Sequence, residues 1–322
     1  MSTARPKRTT ALATKARRPQ PPRPPSLPQG VAGKPHRRCY APSQPLFALF
    51  WRRTMTAQGT YPDIAVTQAG PVATVEIQRP PHNFFDYALI EQIANAFEAL
   101  DDTPSCRAIV LAAQGKNFCA GANFGSGKED DGNDEFSAEG FRTTTGKLYR
   151  EAVRLFRCKK PVVGAIQGSA IGGGLGVALV PDFRVATPET RFAANFARLG
   201  IHPGFGLTVT LPRLVGVQRA TQMFYTGLRV PGEQAVAWGL ADALASAETL
   251  RSDAETLAED IAKSAPLAVV SVRATLRAGL ADEIAQATER ELREQQWLRE
   301  TEDAQEGIRS VAERRDGVFK GA

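Results

Sequence analysis

Residues 161–182, "PVVGAIQGSAIGGGLGVALVPD", restrict this chain more than any other stretch. A short apolar run bounded by turn residues reads as a buried strand. Three consecutive glycines, Gly172 to Gly174, follow it, and "LGVALV" then reads as a helix. A fold containing this stretch must take the chain from a buried strand into a helix through almost bare backbone. Two nucleotide motifs are excluded. A P-loop needs Gly-Lys-Ser/Thr after its glycines, and no lysine follows here. A dinucleotide fingerprint needs a third glycine where this chain has Val177 or Leu179. Two readings remain open. The glycines let helix and strand pack closely, or they let a ligand reach the free N–H groups of a helix start, which carry partial positive charge.

The flanking pattern extends the strand–helix theme. "DIAVTQAG" and "VATVEIQRP" alternate around Ala69-Gly70-Pro71 as a hairpin. "YALIEQIANAFEALDDTP" places Leu89, Ile90, Ile93, Ala94 and Phe97 at helical spacing. "CRAIVLAAQG" is a buried strand, "NFCAGANF" a loop, and "FRTTTGKLYREAVRLFRCKKP" a helix stopped by Pro161. "FRVAT" and "TRFAAN" read as short strands. The fold class is α/β, built from ββα-like units. From residue 253 onward the chain reads as helix. Its sparse apolar stripe, including Ile284, Ala287, Leu292 and Trp297, suits packing on a neighbour or a second subunit. The expected organisation is a basic tail over 1–57, an α/β core over 58–252 and a helical region over 253–322.

Charge separates the tail from the rest. Residues 1–54 hold 12 Lys or Arg and no Asp or Glu, leaving 28 basic against 34 acidic residues in the remainder. The proline-rich tail ("RRPQPPRPPSLPQ") is expected to be disordered, a solvated leader or an upstream extension of a start at Met55. Its prolines oppose the amphipathic helix of a transit peptide. Its aromatics come only at the end, without basic interleaving, and the acidic remainder offers no nucleic-acid groove. No apolar run is long enough to span a membrane. Cys39, Cys106, Cys119 and Cys158 form no CxxC and do not cluster with the three histidines, so neither a metal site nor a disulfide framework is expected. Reduced thiols and a cytoplasmic location are the expectation.

"GKNFCAGANF" repeats the device of the glycine turn, placing small residues Ala120, Gly121 and Ala122 after a buried strand. Two such loops can each aim one peptide N–H at a single oxygen, as a developing oxyanion requires. With these two stretches, "DFRVATPETRF", "LPRLVG", "FYTGLRVPGEQAVAWGLAD" and "TEDAQEGIRSVAERRDGVFKG", all in order, residues 61–322 resemble the crotonase, or enoyl-CoA hydratase/isomerase, superfamily. The resemblance implies a crotonase-like spiral of ββα units with a C-terminal helical trimerisation region. It implies an acyl-CoA thioester ligand, coenzyme A being part of the substrate, and no covalently bound cofactor. It implies a homotrimer or a dimer of trimers. The oxyanion donors fall on the N–H groups of Ala122 and Gly173. Residues 120–124 (Ala120, Gly121, Asn123 and Phe124 besides Ala122), with Arg79 and Asn83 of "RPPHNFFD", would line the CoA path, and Gly172 would flank the oxygen. Lys320 would approach the CoA phosphates.

Hydratases of this family use two glutamates, and hydration needs such a pair to deliver and receive a proton. The corresponding positions here are Gly176 and Phe196, and the loop's aspartate is Asn123. The oxyanion hole is therefore expected without the hydration machinery. Substitute acid/base candidates are His202, Asn195, Tyr149 and Glu151, and the reactions left open are isomerisation, decarboxylation, C–C cleavage and thioester hydrolysis. His202 is equally readable as a structural histidine before a Pro-Gly turn. A non-catalytic acyl-CoA binder is the alternative, favoured by Phe196 in place of a carboxylate. The acidic loop with Glu129, Asp130, Asp131, Asp134 and Glu135 reads as solvated.

Overall fold

The computed structural model describes residues 55–56, 61–123 and 138–322, with backbone alone for 55–56 and 138–143. The tail, Phe124 and the acidic loop carboxylates lie outside these residues.

Strands β1 (Met55–Thr56), β2 (Ile64–Ala69) and β3 (Val72–Ile77) form an antiparallel meander, with β2 and β3 paired in the expected hairpin. Helix α1 (Tyr87–Asp101) follows, then β4 (Ala108–Ala113), α2 (Ala138–Phe156) and β5 (Val162–Ile166). Strand β6 (Ser169–Ile171) leads into α3 (Gly173–Ala178), then β7 (Phe183–Ala186) and β8 (Arg191–Ala193). A 3₁₀ turn (Asn195–Leu199) precedes α4 (Leu207–Val215), α5 (Val217–Thr226), β9 (Arg229–Pro231), α6 (Gly232–Trp238) and β10 (Ala243–Leu244). Four helices close the chain: α7 (Leu250–Ala262), α8 (Pro266–Leu276), α9 (Leu280–Leu298) and α10 (Glu302–Ala312).

The main sheet has the order β1-β2-β3-β4-β5-β7-β10, parallel from β3 onward. A smaller sheet, β6-β8-β9, stands apart from it. Strand β4 is buried on both faces, as a central parallel strand must be. Its alternate residues divide between two cores. Ile109, Leu111 and Ala113 join α1 and α2 on one face. Ala108, Val110 and Ala112 meet Leu250, Ala254, Ala258 and Ala262 of α7 on the other. Those four recur every fourth residue, one stripe of a helix, and the small size of the three alanines lets α7 lie close to the sheet. Helix α7 thus runs across the expected boundary at residue 253, and its inner face belongs to the core.

A largely buried ion cluster ties the helical region to the sheet. Asp182 accepts from Val162 N at 2.9 Å, Arg273 Nε at 2.7 Å and Arg277 Nη1 at 2.7 Å. Burial pushes the Asp182 carboxyl up, but the two guanidinium groups pull it further down, so it sits below the usual carboxylate range. On the outer face of α8, Leu267, Val272 and Leu276 are 84%, 58% and 69% exposed, an apolar strip no element of the described chain covers.

Candidate active site

The glycine turn is built for close approach at every position. Gly172 has φ 56° and ψ −124°, a conformation only glycine takes readily, and its N–H donates to Ala193 O at 2.8 Å. A Cβ on Gly174 would stand 2.8 Å from the carbonyl carbon of Cys119 and 2.9 Å from its sulfur. A Cβ on Gly173 would enter the ring of Phe85. Close packing is therefore real, and it brings one particular loop onto the turn.

That loop is residues 119–122. Cys119 N donates to Ser169 O at 2.9 Å, and Ile171 N donates back to Cys119 O at 3.1 Å. Gly121 has φ 96°, and a Cβ there would stand 3.0 Å from Ile171 O. Ala120 N donates to His82 O at 2.9 Å, while Gly121 O accepts from Phe85 N at 3.1 Å. The loop is thus stitched to β6 on one side and to the β3–α1 connection on the other. Gly173 is the first residue of α3, where a helix leaves its N–H unpaired. Among the described residues neither Gly173 N nor Ala122 N has an acceptor. Ala122 is half-buried and Gly173 buried. Cys119, wholly buried beneath them, has its thiol pushed up to about 12 by desolvation, which leaves it protonated and inert.

Arg79, half-buried, and Asn83 hold the third side, with their polar atoms bonded to the protein. Arg79 donates to Asp63 and Asp86, each at 2.7 Å, and its hydrogen bond to Asp63 leads the causes that raise its pKa. Asn83 is fully buried with φ 50°. It accepts from Arg79 N at 2.9 Å and donates to Gln114 O at 2.8 Å and Asn117 O at 2.6 Å. The sequence reading aims both residues at the CoA path. In the structure their polar groups serve the protein, fixing the connection that carries His82 and Phe85. Asp86 also caps α1 by accepting from Leu89 N at 2.9 Å.

At Gly176 and Phe196, where the sequence reading expects the hydratase glutamates, the structure adds what the sequence does not display. Gly176 faces Phe205, and a Cβ on it would stand 2.5, 2.7 and 2.8 Å from Cδ1, Cγ and Cβ of that residue. Room for a carboxylate is absent along with the carboxylate. Phe205 is 1% exposed, holds the left-handed conformation at φ 63°, and meets Phe85 edge-on with ring centroids 5.9 Å apart. Phe196 is buried, its Cζ 3.8 Å from where a Cβ of Gly172 would be. Asn195 is half-buried, with its Oδ1 3.6 Å from that same point, and no hydrogen-bond partner among the described residues. Phe205 and Phe85 escape a linear reading. The one signal in the sequence is "PGFG", a bulky residue wedged between glycines.

The other acid/base candidates are engaged elsewhere. Tyr149 donates to Gln295 Oε1 at 2.9 Å, and burial pushes its phenol far above the usual range. Gln295 Nε2 donates in turn to His202 O at 2.7 Å. The His202 ring is half-buried with Nδ1 2.8 Å from Pro203 O, and no hydrogen bond among the described residues joins it to the glycine turn. Glu151 pairs with Arg154, which also holds Glu98. Glu291, a buried carboxylate unforeseen from sequence, accepts from Gly206 N, Thr208 N and Thr208 Oγ1 at 2.8, 3.1 and 2.6 Å. It caps α4 from α9, a favourable place for negative charge, though desolvation still raises its pKa. Asn123 is exposed at the end of the loop. Lys320 lies by Glu302, its Nζ 3.4 Å away, with the C-terminal residues folded onto the start of α10. No His/Cys/Asp/Glu cluster among the described residues is arranged to hold a metal, and no described helix is long and apolar enough to cross a membrane.

A parallel sheet with two backbone loops packed beside one helix start matches a known family. The enoyl-CoA hydratase/isomerase family model matches residues 67–322, and the chain belongs to that family. Its fold is the crotonase fold. An enoyl-CoA hydratase structure from Mycobacterium avium subsp. paratuberculosis K-10 superposes with a TM-score of 0.69 at 26% identity, covering 81% of this chain and all of the other. Carnitinyl-CoA dehydratase of Citrobacter koseri is 31% identical over 79% of this chain and 97% of its own length. The Proteus mirabilis enzyme of that name is 32% identical over 80% and 97%.

Proposed function

We propose that the chain binds an acyl-CoA thioester and stabilises its enolate oxygen with the peptide N–H groups of Ala122 and Gly173, without two-carboxylate hydration. The observation that carries this is the packing of the Cys119 loop on the glycine turn, with both N–H groups lacking an acceptor among the described residues. Charge that develops on the thioester oxygen meets donors already in place, so little reorganisation accompanies the reaction. The dehydratase activity named for the relatives also moves a proton. With Gly176 and Phe196 at the proton-handling positions it is not carried over to this chain. Crotonyl-CoA hydration should run far below a typical enzymatic turnover of about 10 per second. Turnover at that level would refute the proposal.

A second reading, an acyl-CoA binder without turnover, is favoured by the rings of Phe85, Phe196 and Phe205 around the turn. Mass spectrometry of a panel of CoA thioesters after incubation separates the two, since a binder returns every ester unchanged. The exposed strip on α8 supports assembly into a trimer or a dimer of trimers. The buried free thiols Cys106, Cys119 and Cys158 suit a cytoplasmic location.

A further inference from the structure

We propose that the arginine cluster between helix α8 and the sheet binds a small monovalent anion of the halide class, with chloride as its probe. The proposal is independent of the thioester reading. Arg273, on the inner face of α8, and Arg277, at its C-terminal end, lie one helical turn apart and share a single carboxylate, Asp182. Arg273 also donates to Cys158 O, and Arg277 Nη1 to Val180 O at 3.1 Å. Beyond these bonds stand Arg273 Nη2 and Arg277 Nε, both buried and both without an acceptor among the described residues. Arg273 as a whole is 8% exposed. A buried donor left unpaired costs more on a charged group than on a neutral one. Two such donors on neighbouring guanidiniums call for an acceptor from outside the chain.

The charge count favours an anion over a water molecule. The third guanidinium of the cluster, Arg184, is buried and bonds Asp242 Oδ2 at 3.1 Å and the carbonyls of Pro181, Asp182 and Leu240. Three guanidiniums therefore meet two carboxylates, Asp182 and Asp242, and one positive charge is left over. Asp101 does not cancel it. That carboxylate accepts from Lys159 N and Lys160 N and from the Cys158 thiol, and among the described residues it pairs with none of the three arginines. Burial, followed by the Arg273 charge, holds Arg277 below its ordinary value, as befits a cation short of counter-charge. Water would accept the two bonds without supplying that charge. A doubly charged phosphate would overshoot it, and would lose more hydration beside the Phe156 ring, whose centroid is 5.9 Å from Arg277 Cζ. An anion held by both arginines fastens α8 to the chain at Cys158 and Val180, so that halide concentration sets how firmly the helical region is docked.

The test uses the full-length protein in sodium gluconate, with chloride or bromide exchanged in at constant ionic strength. The ³⁵Cl resonance of sodium chloride should broaden in the presence of the protein, saturating at one site per chain, and added bromide should narrow it again. The urea midpoint should rise with the logarithm of chloride concentration once that exceeds the dissociation constant. Arg277→Met removes one unpaired donor and the extra charge while keeping the pair between Asp182 and Arg273. It should abolish both responses, so its gap from wild type in urea midpoint should be smallest in gluconate and widen with chloride. Equal ³⁵Cl linewidths for wild type and variant, or a gap that stays constant across the salts, would show that water alone serves the two donors and would overturn the proposal. Should Arg277→Met fail to fold, the wild-type protein decides alone: a chloride line that bromide does not narrow overturns the site.

Discussion

Gly176 and Phe205 should behave as one energetic unit. Gly176→Ala introduces a carbon 2.5 to 2.8 Å from three atoms of Phe205, where carbon pairs settle at about 3.5–4.0 Å. Rotating the ring cannot relieve this, because the Phe205 Cβ is one of the three atoms. The α3 backbone or the Pro203–Gly206 turn must move, and overpacking of this kind costs about 1–3 kcal/mol. Helix propensity offsets about 1 kcal/mol of that, since alanine outranks glycine inside α3. The expected net change is a loss of about 0–2 kcal/mol. In a Phe205→Gly background the clash is gone and only the propensity remains, so the same Gly176→Ala change should stabilise by about 1 kcal/mol. Phe205→Gly itself removes a buried ring at a cost of about 3–5 kcal/mol. Urea unfolding of the four proteins closes the cycle. The coupling should be about 1–3 kcal/mol, above the roughly 0.5 kcal/mol scatter of independent sites. Additive changes would show that Phe205 does not fill the Gly176 side-chain space. The same geometry predicts that glutamates at 176 and 196 restore hydration only when Phe205 is also made small.

Two further outcomes follow from the contacts. Gly174→Ala presses on the Cys119 backbone, which no rotamer change can clear, and should weaken acyl-CoA binding at least tenfold by calorimetry while destabilising more than Gly176→Ala does. Asp182→Asn leaves Arg273 buried and Arg277 half-buried without their anion, so it should cost about 3–5 kcal/mol at pH 7. The Asp182 pKa is lowered on folding, so its stabilisation is full above its unfolded value, about 3.9, and is lost as pH falls through the lower folded value. The gap between wild type and Asp182→Asn in urea midpoints should therefore narrow only in strong acid. A gap that closes between pH 7 and pH 5 would refute the assignment.

Local pattern carried most of the fold. The β2–β3 hairpin, α1, β4 and the strand–glycine–helix turn were all legible, because each is specified by periodicity or turn chemistry within about twenty residues. The boundary at 253 was not, because beyond Leu250 the stripe that seats α7 on the sheet is made of alanines, which a search for large apolar residues passes over. At the site, the two loops are legible as motifs, and so are Gly176 and Phe196 as residues that cannot carry a proton. What surrounds them was not. The contact of Gly176 with Phe205 spans 29 residues, and Tyr149 reaches Gln295 across 146. Arg79 and Asn83 have the composition of ligand-binding residues, and only the structure reveals that Asp63, Gln114 and Asn117 already satisfy them. A motif records which polar groups are present, whereas their use depends on partners that are distant in sequence.

The central claim concerns one oxygen atom, and its vibration reports on it directly. Proline at 173 would not remove the N–H cleanly, because any Cβ there meets Phe85. A CoA thioester labelled with ¹³C at its carbonyl avoids mutation altogether. In isotope-edited infrared difference spectra, the bound carbonyl stretch should fall below that of the free ester, as two N–H donors polarise the bond. A carbonyl band at the same frequency in the saturated complex as in water would contradict the assignment of Ala122 and Gly173 as the oxyanion donors.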